Sequence, residues 1–73
     1  MNNSINFFLR GLDVDGREYF YTGRAGECWL SPERADAFTW GTLEAARNRA
    51  KQFNGRVALH GVWFLALEEV HRG

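Results

Sequence analysis

The sequence lacks the residues that usually cross-link a small fold. Its 73 residues include a single cysteine, Cys28, so no disulfide can form within the chain. Proline is equally scarce, with one residue. Cys28, His60 and His71 together fall short of the four Cys or His ligands that a structural zinc site usually takes. We therefore predict a fold stabilised by its hydrophobic core alone, with no metal and no other cofactor.

The chain also lacks an excess of charge of either sign. Nine Lys and Arg residues balance nine Asp and Glu residues, whereas nucleic-acid-binding domains are normally basic. We therefore do not expect direct binding to nucleic acid. Zero net charge gives little protection against self-association, so a homodimer remains open.

No long apolar run is present either. The longest lies at residues 62–67 and is far too short to span a bilayer, so we expect no membrane association. The segment at 1–6 is polar and uncharged, unlike a secretory or transit segment. Together with the free thiol, this predicts the cytoplasm as the location of the protein.

Aromatic rings are what the chain has in abundance. Six Phe, three Trp and two Tyr make up 15% of the residues, and each ring buries roughly 150–250 Å². A domain of this length must fill its small core economically. We expect residues 1–73 to form one domain in which Trp63 belongs to the core and Trp40 packs on the helix that follows it. Trp29, in a loop after two glycines, is expected to be partly exposed.

Residues 5–22 predict a β-hairpin. Apolar side chains alternate along "INFFLRGL", 5–12, as in a strand with one buried face. "DVDG", 13–16, suits a type I turn closed by a left-handed glycine. "REYFYT", 17–22, is then the returning strand.

The length of the hairpin loop decides which side chains share a face. A four-residue loop places Leu9 opposite Phe20 and is preferred, because a two-residue loop would set Asp13 against Glu18, a like-charged pair. One face then carries Ile5, Phe7, Leu9 and Phe20. The other, aromatic and basic face carries Phe8, Arg10, Arg17, Tyr19 and Tyr21.

The rest of the chain predicts one helix and further strands. Residues 42–55 have apolar side chains at helical spacing, Thr42 as N-cap and Gly55 as a left-handed stop. Residues 27–30 fit a short strand or an extended arm, and 37–40 a third short strand. Residues 56–70 predict a last strand, which we place centrally because 62–67 is apolar on both faces. The expected fold is α+β, with an antiparallel sheet of about four strands, one helix on one face, and the order β-β-β-α-β.

Two motifs suggest chemistry but fit plainer structures better. The Gly23–Gly26 turn could cradle an anion with its N–H groups, but no helix follows it, so an ordinary turn is favoured. Cys28 with His60 or His71 could form a nucleophile and base, but nothing in the sequence brings them together. We therefore predict no catalytic residues.

The aromatic and basic hairpin face is the best candidate for a binding surface. Its side chains fit an ordinary sheet surface, a protein interface, where Tyr and Arg are enriched, or a stacking platform for single-stranded nucleic acid. The predicted contact residues are Arg17, Tyr19, Tyr21, Arg24, Trp29, Arg47 and Lys51.

Residues 21–54 resemble small uncharacterised proteins of bacteriophages and integrated mobile elements. The shared layout is "YTG.AG..W.S....A..F....EA...A..FN", which combines turn glycines, core aromatics and an alanine-containing helix over about half of the chain. In size and general character the chain is also similar to anti-CRISPR proteins, small phage products that bind a CRISPR effector and block it.

The resemblance implies a stoichiometric inhibitor without turnover. It predicts a non-enzymatic phage-type protein, located in the bacterial host's cytoplasm, that binds a host defence complex such as a CRISPR effector and covers part of its surface. The first alternative is a small-ligand or nucleotide-binding module, in which an oligomer encloses the ligand between the Gly23–Gly26 turns and Trp29. The second is a single-stranded nucleic-acid-binding module.

Overall fold

The fold combines a small antiparallel sheet with one helix. A computed structural model describes residues 3–56 and 61–72, with side chains for 5–56 and 61–70. In chain order the elements are β1 (Asn3–Asp13), β2 (Glu18–Tyr21), β3 (Leu30–Ser31), α1 (Leu43–Asn54) and β4 (Val62–Arg72). The prediction of an α+β fold with the chain order β-β-β-α-β is confirmed.

The position of β4 in the sheet differs from the prediction. The strands lie in the order β3-β2-β1-β4, so β4 is an outer strand and its predicted central position is wrong. It pairs with β1 along its whole length, from Asn3 opposite Arg72 to Asp13 opposite Val62. A central position therefore does not explain why β4 is apolar on both faces. Helix α1 covers one face, and the other face is partly open.

The third strand also differs from the prediction. Residues 37–40 form no extended strand; instead Trp40 makes an isolated bridge to Phe7, with N–O distances of 2.9 and 2.8 Å between their backbones. The third strand is Leu30–Ser31, which pairs with β2. One-turn 3-10 helices at Gly26–Trp29 and Arg34–Asp36 flank it.

The hairpin turn has the predicted chemistry but a different register. Gly16 has a φ of 80° and its N–H donates to the Asp13 carbonyl at 3.0 Å, as expected for a type I turn closed by a left-handed glycine. However, the N–H of Asp13 donates to the carbonyl of Arg17 at 3.0 Å, so the loop has three residues, 14–16. The predicted pairing of Leu9 with Phe20 is therefore wrong, and Arg10 lies opposite Phe20 instead.

This shift by one residue exchanges the two faces of β2. Side chains alternate between faces, so a one-residue change of register moves the whole set. Phe20 lies on the face of Arg10, whereas Tyr19 lies opposite Gly11, on the face that α1 covers. The two tyrosines of the predicted aromatic and basic face therefore lie on the opposite face, toward α1.

The core lies between α1 and the sheet. The helix begins as predicted, with Thr42 Oγ1 accepting from the N–H of Ala45 at 3.2 Å. Small residues on its inner face let it approach the strands closely, and the buried cluster consists of Leu9, Ala46, Ala50, Val62 and Phe64. The helix is not long and apolar enough to cross a membrane, and nor is any other helix in the described ranges.

The end of α1 differs from the prediction. Gly55 has a φ of −64° and a ψ of −14°, which is right-handed rather than left-handed. Its N–H donates to the Lys51 carbonyl at 3.0 Å, continuing the helical pattern for one more residue. The neighbouring Asn54 side chain reaches β4 and bonds to the backbone of Phe64, so the helix end is fixed by a tertiary contact rather than by a left-handed glycine.

Candidate interaction surface

Three of the predicted contact residues are partly buried against the core. Tyr21 stacks on Trp40 with ring centroids 5.7 Å apart and lies 5.1 Å from Phe53. Trp29 packs on Phe53 and Phe64, with centroids at 5.3 and 6.0 Å. Together with Tyr19, these rings pack against the buried cluster. The predicted outward orientation of the tyrosines is wrong, because the register turns them toward α1. Trp29 is half-buried, as predicted for a partly exposed residue, but its ring packs on the core.

The four basic residues of the predicted site are exposed but lie apart. Arg17 is in the hairpin connection before β2, and Arg24 follows β2 at its other end. Arg47 and Lys51 lie on α1 and line one side of a groove against β4. The structure therefore does not assemble the seven predicted residues into one surface, and the role of the exposed four stays a prediction.

The face of the sheet opposite α1 is half covered. Arg34 lies over Phe8, with its guanidinium carbon 3.6 Å from the ring centroid, and it forms an ion pair with Glu69 on β4. The turn that carries Arg34 is held by Ser31, whose hydroxyl donates to Asp36 Oδ2 at 2.7 Å. As a result, the two phenylalanines on this face are buried: Phe8 is 7% exposed and Phe20 4%.

The other half of this face is open and apolar. Leu12 lies opposite Trp63, and Arg10 lies opposite Leu65, so these four side chains share the face. Trp63 is 52% exposed and Leu65 is 49% exposed. We call Leu12, Trp63 and Leu65 the open patch. It is bordered by the Arg10 side chain, which donates to Glu18 in an ion pair.

The prediction that Trp63 belongs to the core is wrong, although the sequence carries a signal for its exposure. Only one helix is predicted in the chain, and one helix can cover only one face of a sheet. A strand that is apolar on both faces, such as 62–67, must then expose one face unless a loop covers it. Trp63 and Leu65 alternate with the buried Val62 and Phe64, so they are the side chains left outside.

A groove of about 260 Å³ separates α1 from the outer edge of β4. Its floor is formed by small or buried residues, and its rim carries two cations one helical turn apart. The lining residues are Arg47, Ala50, Lys51, Asn54, Phe64, Leu65 and Ala66. Asn54 crosses the groove at one end, where its amide accepts from the N–H of Phe64 at 2.7 Å and donates to the Phe64 carbonyl at 2.9 Å.

Among the described residues, the side chains and the turn that could bind a metal, act in catalysis or bind an anion do not come together in a site. In the described parts of the chain, no three His, Cys, Asp or Glu side chains are grouped so as to hold a metal ion. Cys28 is exposed, while His60 and the side chain of His71 lie outside the described residues. The Gly23–Gly26 turn has one of its N–H groups already engaged, since Arg24 N donates to Thr22 Oγ1 at 3.2 Å.

Comparison with known proteins adds no relative: no family model, no curated protein and no solved structure matches this chain. The resemblance of residues 21–54 to phage proteins therefore stays a prediction.

Proposed function

We propose that this protein is a non-enzymatic binding module that docks on a partner protein through the open patch and blocks the partner by covering part of its surface. The observation that carries the proposal is the half-exposed pair Trp63 and Leu65 on the uncovered sheet face. Exposed Trp is among the residues that contribute most to protein–protein affinity, and a contiguous apolar patch with a polar rim is typical of interaction sites.

The structure around the patch favours a preformed site. Trp63 and Leu65 lie on the longest strand pairing in the sheet, rather than on a loop that must be ordered on binding. The Arg10–Glu18 ion pair supplies both signs of charge at the rim. A rigid site loses little conformational entropy on association, which suits a small protein that has only a limited area to offer.

The proposed partner is a host defence complex, such as a CRISPR effector, in the cytoplasm of a bacterial host. The support for this choice is the resemblance of residues 21–54 to proteins of phages and mobile elements, and the small size shared with anti-CRISPR proteins. The partner surface that fits the open patch is apolar at its centre and carries polar groups of either sign around it.

The test is titration of the protein against purified CRISPR effector complexes, with co-elution on a sizing column and measurement of the dissociation constant. Trp63→Ala is expected to weaken binding by about 2 kcal/mol or more, as for an interface anchor. Val14→Ser is the control, because Val14 at the hairpin tip is 91% exposed and lies outside the patch. It is expected to leave affinity unchanged.

Two failures of this experiment have different meanings. If the wild-type protein binds none of the effector complexes, the proposed partner class is wrong. If it binds and Trp63→Ala binds equally well, the open patch is not the contact surface.

The alternative functions gain no support from the geometry. The nucleotide hypothesis requires the ring of Trp29 beside the Gly23–Gly26 turn, but this ring packs on Phe53 and Phe64. The single-stranded nucleic-acid hypothesis requires outward tyrosines, and Tyr21 is stacked on Trp40.

A further inference from the structure

The outer edge of β4 carries backbone groups that point away from the sheet. Asn54 bonds to both the N–H and the carbonyl of Phe64, so these groups face outward and not toward β1. Backbone groups of every second residue in a strand point to the same side. The N–H and carbonyl groups of Ala66 and Glu68 therefore point outward too, and no described residue lies beside them in the sheet.

Asn54 divides this edge into a closed and an open part. Its carboxamide occupies the place at Phe64 that a peptide group of a further strand would take. From Ala66 onward no residue that the structure describes pairs with the edge, which we call the open edge, and unpaired strand edges are templates for adding another strand.

The groove beside the open edge is complementary in charge to an acidic side chain. Arg47 and Lys51 line it, and neither forms an ion pair with any residue that the structure describes. Because Ala50 and Ala66 have small side chains, space is left between the two cationic side chains and β4. Glu68 is exposed and likewise has no ion-pair partner among the described residues, and it lies on the same strand, two residues beyond Ala66.

We propose that a second copy of this chain adds to the open edge of β4 as an antiparallel strand, with Leu67 on the two-fold axis. In this register Ala66 lies opposite the second copy's Glu68, and the two residues exchange backbone hydrogen bonds. Residues directly opposite each other share a face, so the second copy's Glu68 carboxylate lies over the groove beside Arg47 and Lys51. The symmetry repeats the same contact on the other side of the axis.

Neighbouring registers are disfavoured by specific residues. With Leu67 on the axis, the ladder consists of the two Ala66–Glu68 pairs, because a further pair would need the backbone groups of Phe64, which Asn54 already holds. A register centred on Ala66 forms only the single Ala66 pair before it reaches the same block, and so makes half as many backbone hydrogen bonds. Centring on Glu68 sets this glutamate directly against its own copy, and centring on Glu69 does the same on the other face. Like charges directly opposite each other destabilise an antiparallel pair, whereas the register on Leu67 places two leucines at the axis.

The dimer has a defined geometry and limited strength. It joins the two sheets into one, with both helices on one side and both open patches on the other. Few residues of β4 take part, so we expect a weak interface at the low end of the size range, which salt weakens further because charged pairs contribute to it. This inference does not rest on the proposed function.

The test uses charge reversal in two variants that are each expected to be monomeric. The molar mass of the wild-type protein is measured by sedimentation or light scattering from about 10 μM to about 1 mM, a range suited to a weak interface. The wild type is expected to pass from monomer to dimer, and this transition is expected to be lost in Glu68→Lys and in the double variant Arg47→Glu/Lys51→Glu. Mixing the two variants restores opposite charges at both contacts, and we expect a heterodimer to form.

Asp15→Lys is the matched control, since Asp15 is exposed in the turn between β1 and β2, away from the open edge of β4. It makes the same change of net charge as Glu68→Lys and is expected to dimerise like the wild type. The proposal is overturned if the wild type stays monomeric at the highest concentration, if Glu68→Lys still dimerises, or if the mixed variants do not associate. A dimer that survives Glu68→Lys would place the interface elsewhere, with the open patch as the next surface to test.

Discussion

Gly11 is a position where the packing of the core leaves no room for a side chain. A Cβ built on it would lie 2.5 Å from Val62 Cγ1 and 2.9 Å from Phe64 Cε1. Both neighbours are buried and cannot move into solvent. Gly11 therefore permits the close approach of β1 to the core side chains of β4, in the middle of the longest pairing in the sheet.

We predict that Gly11→Ala destabilises the fold by about 1–3 kcal/mol, the usual cost of overpacking a core. Gly41→Ala is the control, because a Cβ there meets no atom within 4 Å, and its effect is expected to stay within about 0.5 kcal/mol. Urea unfolding followed by circular dichroism measures both. Equal stability of the two variants would show that the core tolerates the extra methyl group.

Trp63, which the sequence predicts in the core, is more exposed than Trp29, which packs partly buried against the core. Trp29→Ala removes a ring packed on Phe53 and Phe64, and we expect a loss of about 3 kcal/mol or more in the free energy of unfolding. Trp63→Ala removes a half-exposed ring and is expected to cost clearly less. Urea unfolding of both variants tests this, and a larger loss for Trp63→Ala would contradict its assignment to the surface.

At the scale of the elements, composition and turn chemistry predict where the helix and the turn lie, but they do not predict the strand register. Helix α1 could be predicted because Thr42 and the alanines act locally, within one or two turns. The face of each residue in β2 could not, because it depends on whether Asp13 belongs to the loop or pairs with Arg17. In the structure Asp13 does both: its Oδ1 accepts from the N–H groups of Asp15 and Arg17 at 2.9 Å each, while its backbone remains in the ladder.

In the candidate interaction surface, too, only the features that depend on local sequence can be predicted. The exposure of Arg47 and Lys51 follows from helical periodicity, which is a local property. The partial burial of Tyr19 and Tyr21 follows from the hairpin register, and the cover over Phe8 follows from the reach of Arg34 across the sheet. Such contacts join residues distant in the chain, and the order of polar and apolar residues does not specify them.

Asn54 connects the end of α1 to β4, and its effect belongs to both elements. We predict that Asn54→Ala destabilises the fold by about 1–3 kcal/mol, because the part-buried backbone groups of Phe64 lose their partners. Asn48→Ala on the exposed side of the same helix is the control and is expected to have little effect. Thermal unfolding measures both, and indistinguishable midpoints would show that water replaces the amide without cost.

For the whole molecule, the two proposed surfaces use different sides of one strand. The open patch lies on the sheet face that α1 does not cover, whereas the dimer contact uses the backbone edge and the groove on the helix side. A dimer built in this way presents two open patches on the same side. A bivalent ligand gains apparent affinity for a partner that repeats its binding site, provided that the spacing fits.

The dimer also makes a prediction for individual amide groups of β4. The N–H of Phe64 bonds to Asn54 within one chain, so its protection against hydrogen exchange is expected to be the same at any protein concentration. The N–H groups of Ala66 and Glu68 point outward without a partner strand among the described residues, and the proposed dimer gives them partners. We therefore expect their exchange in NMR spectra to slow as the concentration rises through the dimerisation range, and to remain fast throughout in Glu68→Lys. Leu65 and Leu67 serve as internal references, because their N–H groups point toward β1 in both states. Protection of Ala66 and Glu68 that does not change with concentration would mean that this edge is already occupied within the single chain.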